Sequence, residues 1–252
     1  MTSWETAKSQ RRDDIVAAAR TLMRRSGDAA FSMRTLAEEA GVSIATPYNL
    51  FGSKQAILLA LLSADLADYE VALANLHADE IEVLFRAVSL MTATLRADPE
   101  FYRNVLSAVS RDGGPEFRFM VSGPRYVLWK RLLREATEAD LLRADVDPDA
   151  FAITVTQQMF ANVQNWAQGQ LTLDEMDARM RFGLALCLSS IATRSSREQV
   201  LVKQKSAEAM MQRMWRSALA SRLEEGPLDE ETRAVLADQL AHVENQSFKE
   251  SA

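Results

Sequence analysis

The sequence predicts an all-α protein: a small head of three short helices, a linking helix, a larger helical body and a C-terminal helical extension. Three observations carry this reading. Only 9 Gly and 6 Pro interrupt 252 residues, and the stretches between them are rich in Ala, Leu, Arg, Glu and Met, all good helix formers. Runs of alternating β-branched residues are absent, so no strand is expected. The breaks carry helix punctuation, with Ser, Thr or Asp at starts and Gly at ends. Apolar residues make up 48% of the chain, enough for a packed core rather than disorder.

The first helix is expected from about Ser9 to Arg25, with Ile15, Ala18, Ala19, Leu22 and Met23 on one face and Gly27 ending it. Ser32 caps a second helix, which Gly41 stops, and Ser43 caps a very short third. Ser53 starts the linking helix, which runs to about Leu76. Beyond it, Asp98-Pro99 and Asp147-Pro148 read as caps followed by proline in the first turn. Gly113-Gly114-Pro115 and Ser122-Gly123-Pro124 mark a loop region. Gln168-Gly169 ends a helix, and Thr172 with Glu175 forms a capping box for the next. Glu225-Gly226-Pro227 separates the last two helical segments. The expected units are a head over 9–55, a body over 56–194 and an extension over 195–252.

Charge is distributed unevenly. The net charge is −6, but residues 1–54 carry 8 Lys/Arg against 6 Asp/Glu, while the remainder carries 21 against 29. A mildly basic head on an acidic body fits a local polyanion-contacting surface. Cys187 is the only cysteine and lies in an apolar helical run, as a small core residue does. No signal-peptide core is present, and no apolar run reaches the ~18 residues of a membrane span, so a cytoplasmic protein is expected. The two histidines, His77 and His242, are isolated. No metal-ligand spacing, glycine-rich phosphate loop or nucleophile with a plausible base is present, so neither an enzyme nor a bound cofactor is expected.

The informative segment is FSMRTLAEEAGVSIATPYNLFGSKQAIL, Phe31 to Leu58. Met33, Leu36, Ala37 and Ala40 form an apolar stripe on a short helix. Gly41 permits a tight turn, Val42 packs into the corner, and a second short helix carries Tyr48 and Leu50-Phe51. Two short helices joined by a glycine-containing turn are the helix-turn-helix signature. The second is short and polar-tipped, which suits insertion into the major groove of DNA.

With Ser32, Leu36-Ala37, Ala40-Gly41-Val42-Ser43, Tyr48, Phe51, Lys54 and Leu58 at matching places, this segment resembles the DNA-binding domain of the tetracycline-repressor (TetR) family over roughly residues 10–60. Pro47, Ala45 and Leu50 depart from the usual pattern. If Ser43 is the cap, Pro47 is the fourth helical residue and removes only the first backbone bond. The resemblance implies that Lys54 and Tyr48 bind phosphates and that Ser32 and Ser43 contact the DNA backbone near their helix N-termini. Arg34 and Thr46 are the candidates for base edges, and Ile44 and Ala45 for a thymine methyl. Lys8, Arg11 and Arg12 are candidates for a basic arm. Arg34 also has a bland alternative, a surface ion pair with Glu38 one turn on.

The resemblance further implies a regulator, a repressor by family default, whose body binds a small-molecule effector and whose homodimer sits on double-stranded DNA at a palindromic operator. The pocket candidates are Met91, Phe101, Tyr102, Tyr126, Trp129 and Phe160, with Gln157 and Gln164 as polar fixtures and Phe117, Phe119, Met120, Met159, Trp166 and Gln158 as further members. Such a pocket takes a mostly apolar ligand. The expected dimer helices are 149–168 and 172–193, with Ala152, Val155, Thr156, Met159 and Val163 of the first alternating with Gly183, Leu184, Leu186, Cys187 and Ile191 of the second. In the extension, Ala207, Met211, Met214, Ala218 and Leu219 form one apolar face, and Leu228, Val235, Leu236, Leu240 and Val243 another. These helices either extend the dimer or cover the body. The acidic second one argues against a membrane surface.

Overall fold

The computed structural model describes residues 3–26, 31–112, 115–224 and 229–250, with side chains described for all of these except 3, 26, 109–112, 115–121, 224 and 242–250. Gly27, Gly113-Gly114, Glu225-Gly226-Pro227 and Leu228 lie outside the described residues, as do the side chains of Pro115, Phe117, Phe119, Met120, His242 and Val243. The described chain is helical: α1 (Ser3–Ser26), α2 (Met33–Glu39), α3 (Ala45–Phe51), α4 (Lys54–Ala74), α5 (Glu80–Ala97), α6 (Pro99–Asp112), α7 (Pro115–Glu138), α8 (Pro148–Ala167), α9 (Leu173–Ile191), α10 (Arg197–Glu224) and α11 (Glu230–Glu250). Among the described residues there is no strand, only an isolated bridge between Leu142 and Ala192.

The caps read from the sequence are mostly in place. Ser53 Oγ accepts from Ala56 N at 3.2 Å, and Thr172 and Glu175 complete a reciprocal capping box. Asp79 caps α5 by accepting from Glu82 N at 2.9 Å. Two expectations are corrected. Helix α1 begins at Ser3, not Ser9, because Glu5, Ala7, Lys8 and Gln10 continue the helix without needing a core face. Ser122-Gly123-Pro124 is not a loop: α7 runs through Pro124. Pro124 is exposed, while Leu128, Trp129, Leu132 and Leu133 beyond it are buried. Burying that apolar face outweighs the roughly 3 kcal/mol of an internal proline.

One continuous core runs from head to body. Ile15, Ala19 and Met23 of α1 are fully buried with Leu36 of α2 and Ile57 and Leu61 of α4. The same cluster continues through Phe85 and Val88 of α5 to Met176, Met180 and Leu184 of α9. Helix α9 is the spine of the body. Its Asp177 is buried, accepts from Thr92 Oγ1 at 2.8 Å and pairs with Arg181 Nε at 2.6 Å, and Arg181 also donates to Ser89 Oγ at 2.8 Å. The buried charge is thus both paired and hydrogen-bonded, as burial requires. Helix α10 lies along α9, burying Val200, Ala207 and Leu219, and α11 packs on α10.

Candidate nucleic-acid interface and ligand cavity

In the head, Ser32 caps α2: Thr35 N donates to Ser32 Oγ at 3.0 Å. Arg34 points outward from the first turn, and its Nε lies 3.3 Å from Glu38 Oε1. A pair this exposed contributes little and opens readily for another acceptor. Gly41 adopts φ +65°, the left-handed turn that glycine permits, and Val42 N donates to Ala37 O at 2.9 Å. That turn sets α3 against α2.

Ser43 is not the cap of α3. Ile44 occupies that position with no side-chain cap bond. Ser43 instead accepts from Thr46 N through its backbone carbonyl, and the Ser43 and Thr46 hydroxyls lie 2.9 Å apart. Pro47 is therefore the third helical residue, where a missing N–H leaves no intrahelical bond unmade. Pro47 is also buried, so it fills the apolar place that an aliphatic residue would take. Ile44 (52%) and Tyr48 (51%) are exposed, as is Ala45. Thr46 is half-buried beside Ser43. Lys54 opens α4 with its Nζ 4.5 Å from the Phe31 ring centre.

Behind the head, Arg20 of α1 is paired with Asp65 of α4, and the Tyr102 hydroxyl of α6 donates to the other Asp65 oxygen at 3.0 Å. Arg24 Nε donates to Asp98 Oδ2 at 2.7 Å. The guanidinium groups of Arg20 and Arg24 lie 5.2 and 5.4 Å from the centre of the Phe101 ring. Burial pushes the Tyr102 hydroxyl up to about 12, reinforced by the Asp65 carboxylate.

Asp65 and Tyr102 also line a cavity of about 100 Å³ between α4, α5, α6, α7 and α8. Its walls are apolar: Leu62, Leu66, Leu95, Leu106, Leu128 and Met159 are among them. Of the expected pocket residues, Met91, Tyr102, Trp129 and Phe160 line it. Four expected residues lie elsewhere. Phe101 faces α1, because neighbours on a helix are rotated by about 100°. The Tyr126 hydroxyl donates to Asp149, which also holds Lys130, at the α7–α8 surface. Gln157 is exposed, and Gln164 is one position past the wall formed by Thr156, Met159, Phe160 and Val163.

The polar lining was missed at the sequence level. Asp65, Tyr69, Thr94, Arg125 and Thr156 all reach the cavity. Tyr69 donates to Ala87 O at 2.6 Å, and burial raises its hydroxyl well above the ordinary value. Burial also lowers the Arg125 guanidinium. The usable signal was on α4, where Asp65 and Tyr69 share a face with Leu62 and Leu66, at spacings of three and four.

Residues 15–61 match the family model of bacterial regulatory proteins, tetR family. The head is thus similar to the DNA-binding domain of tetR-family regulators, over 47 of the 252 residues. Solved structures agree on the fold. The TetR-family repressor FadR of Thermus thermophilus, solved with lauroyl-CoA, superposes with a TM-score of 0.61 at 21% identity, covering 73% of this chain and 96% of that one. FadR of Bacillus halodurans, a fatty acid degradation regulator, gives 0.54 at 21% identity, over 70% and 97%. SmeT, the repressor of the Stenotrophomonas maltophilia efflux pump SmeDEF, gives 0.54 at 18%, over 73% and 91%. No curated protein matches the sequence significantly.

In the body, much of the expected dimer face is internal. Ala152, Val155, Thr156 and Met159 are buried within the protomer, as are Leu184 and Ile191. The seam between α8 and α9 is closed by Gln158, whose Nε2 donates to Arg179 O at 3.1 Å and fills the notch over Gly183. Val163 lines the cavity, and Cys187 is half-buried. The large apolar residues left outward on these helices are Ile153 (45%) and Leu186 (43%). No helix among the described residues is long and apolar enough to cross a membrane.

Proposed function

We propose that the chain is a repressor that binds a palindromic DNA site as a homodimer and leaves it when a small, mostly apolar molecule fills the body cavity. The carrying observation is Asp65. It belongs to the cavity wall and holds Arg20 of the head. A ligand that displaces the Asp65 carboxylate or Tyr102 loosens the head from its seat. The neighbour solved with lauroyl-CoA supports a ligand with a long apolar portion. Ile153 and Leu186 remain for an interface between copies, and two-fold protein symmetry calls for two-fold DNA symmetry.

The proposed division is a head (9–55), a body (56–194) and an extension (195–252). Arg34 and Thr46 read bases, Ile44 and Ala45 meet a thymine methyl, and Ser32, Ser43, Tyr48 and Lys54 hold phosphates. A ligand favouring the released state by about 1–3 kcal/mol lowers DNA affinity roughly 5- to 150-fold, and by linkage DNA weakens the ligand by the same factor.

The test has two stages. Genomic fragments retained by the purified protein are sequenced, and a palindromic consensus is expected. A ligand found by screening is then titrated calorimetrically with and without that DNA. Equal ligand affinity in both conditions removes the coupling, and the absence of any selected fragment removes DNA recognition.

A further inference from the structure

Helix α1 carries a feature that the major-groove reading leaves unused. Trp4 is 69% exposed, the largest exposure among the exposed large apolar residues described. Lys8 Nζ lies 5.3 Å from the centre of its ring. Trp4, Lys8, Arg11 and Ile15 follow one another at spacings of four, three and four, so they share one helix face. At Ile15 that face enters the head core. At the other three it continues beyond the core, and all three are exposed. Glu5, Asp13 and Asp14 lie on other faces, and Asp14 accepts from Gln10 at 3.0 Å.

The direction of this extension follows from the contacts of α1. Its C-terminal half meets the body, through Arg20 on Asp65 and Arg24 on Asp98. Its N-terminal half meets the recognition helix: Arg12 donates to Leu50 O, and its guanidinium lies 4.2 Å from the Phe51 ring centre. The first two turns therefore extend beyond the contact with α3, away from the half of α1 that meets the body. Trp4 lies about 12 Å along the axis from Arg12, at 1.5 Å per residue.

Resting on the DNA-binding reading above, we propose that Trp4, Lys8 and Arg11 form a second DNA contact, to the duplex flanking the site read by α3. Lys8 and Arg11 supply cations for phosphates. Trp4 lays apolar surface along the sugars of the adjacent minor groove. Lys8 over the Trp4 ring orders both side chains before contact.

The probe is a fragment selected by the wild-type protein, prepared as a core duplex trimmed to the two half-sites and as a long duplex with about ten base pairs added on each side. Wild type is expected to bind the long duplex more tightly. Trp4→Ala removes most of that gain, about fivefold or more, and leaves core-duplex affinity unchanged. Lys8→Ala with Arg11→Ala lowers the salt slope on the long duplex by about one per cation. Equal affinity of Trp4→Ala and wild type for both duplexes overturns the proposal. So does an equal loss on both, which assigns the segment to head stability, or a change in oligomeric state without a change in DNA binding. Selection of no fragment by wild type is separate and removes the DNA reading itself.

Discussion

In the head, the residues offered to a partner stand on the outside of two helices of seven residues each, set by one glycine turn and one cap. In the body, the residues offered to a ligand face inward from five helices, and each depends on the rotation of its helix against four others. A head position is therefore local information, readable from a few neighbours. A cavity position is tertiary information, and a one-residue shift moves a side chain from wall to surface. Tyr102 and Phe101 show the difference: the first joins the cavity, and the second packs under two arginines of α1.

That contrast predicts its largest effect at Phe101. It is 1% exposed at the junction, so Phe101→Ala should cost about 3–5 kcal/mol. Phe160 borders a void and is only partly buried, so Phe160→Ala should cost less than half as much, because part of its surroundings is already empty. Thermal unfolding of the two variants measures this. Equal losses would mean that Phe160 is as tightly enclosed as Phe101.

The next effect lies at the joint between the two regions. Asp65→Asn keeps the shape but removes the charge facing Arg20, and should cost about 1–3 kcal/mol. The expected calorimetric signature is a split: a head transition that melts below the body transition, where wild type melts as one. A single transition at the wild-type temperature would leave Asp65 without a role in seating the head.

On the DNA side, Arg34→Ala should cost about 1–3 kcal/mol in affinity and relax one base position in selection experiments. Lys54→Ala should weaken all sequences alike, because phosphates carry no sequence information. If selection returns the wild-type consensus for Arg34→Ala, the exposed pair with Glu38 is the whole role of Arg34.

The same division explains what was legible from the sequence. The core face of α1, the turn at Gly41, the cap at Ser53 and the Thr172 box rest on spacings within a single helix or turn, and all are present. Pro47 sits one place earlier in α3 than the sequence predicts because Ser43 pairs with Thr46 instead of capping, a choice between two local bonds that residue types do not rank. The four residues outside the cavity, and the five polar ones inside it, could not be assigned without the packing of α4 to α8. The face of α8 assigned to a partner copy turned out to be the protomer's own core, because α8 packs against α6, α7 and α9.

The smallest expected effect tests whether the C-terminal extension belongs to the body. Lys203 of α10 is paired with Glu82 of α5 at 2.5 Å, and Gln199 Nε2 reaches both oxygens of Asp79 at 2.9 Å. The bond from Lys203 holds the Glu82 carboxyl below its ordinary value against the opposing effect of burial. Asp79 is lowered too: burial alone would raise it, but its bonds to the Glu82 backbone and Gln199 outweigh that. Folded values below the unfolded ones mean that this stability is complete only above about pH 5 and is lost as the pH falls through the folded values. Acidification should therefore loosen α10 before the α9 spine. Lys203→Ala should cost up to about 1 kcal/mol at neutral pH, as a partly exposed pair does, and should flatten the acid limb of the stability curve. Hydrogen exchange across α10 at pH 3 and pH 7 reads this directly. If α10 is equally protected at both pH values, it is held by Val200, Ala207 and Leu219 alone, and the polar anchor to α5 contributes nothing measurable.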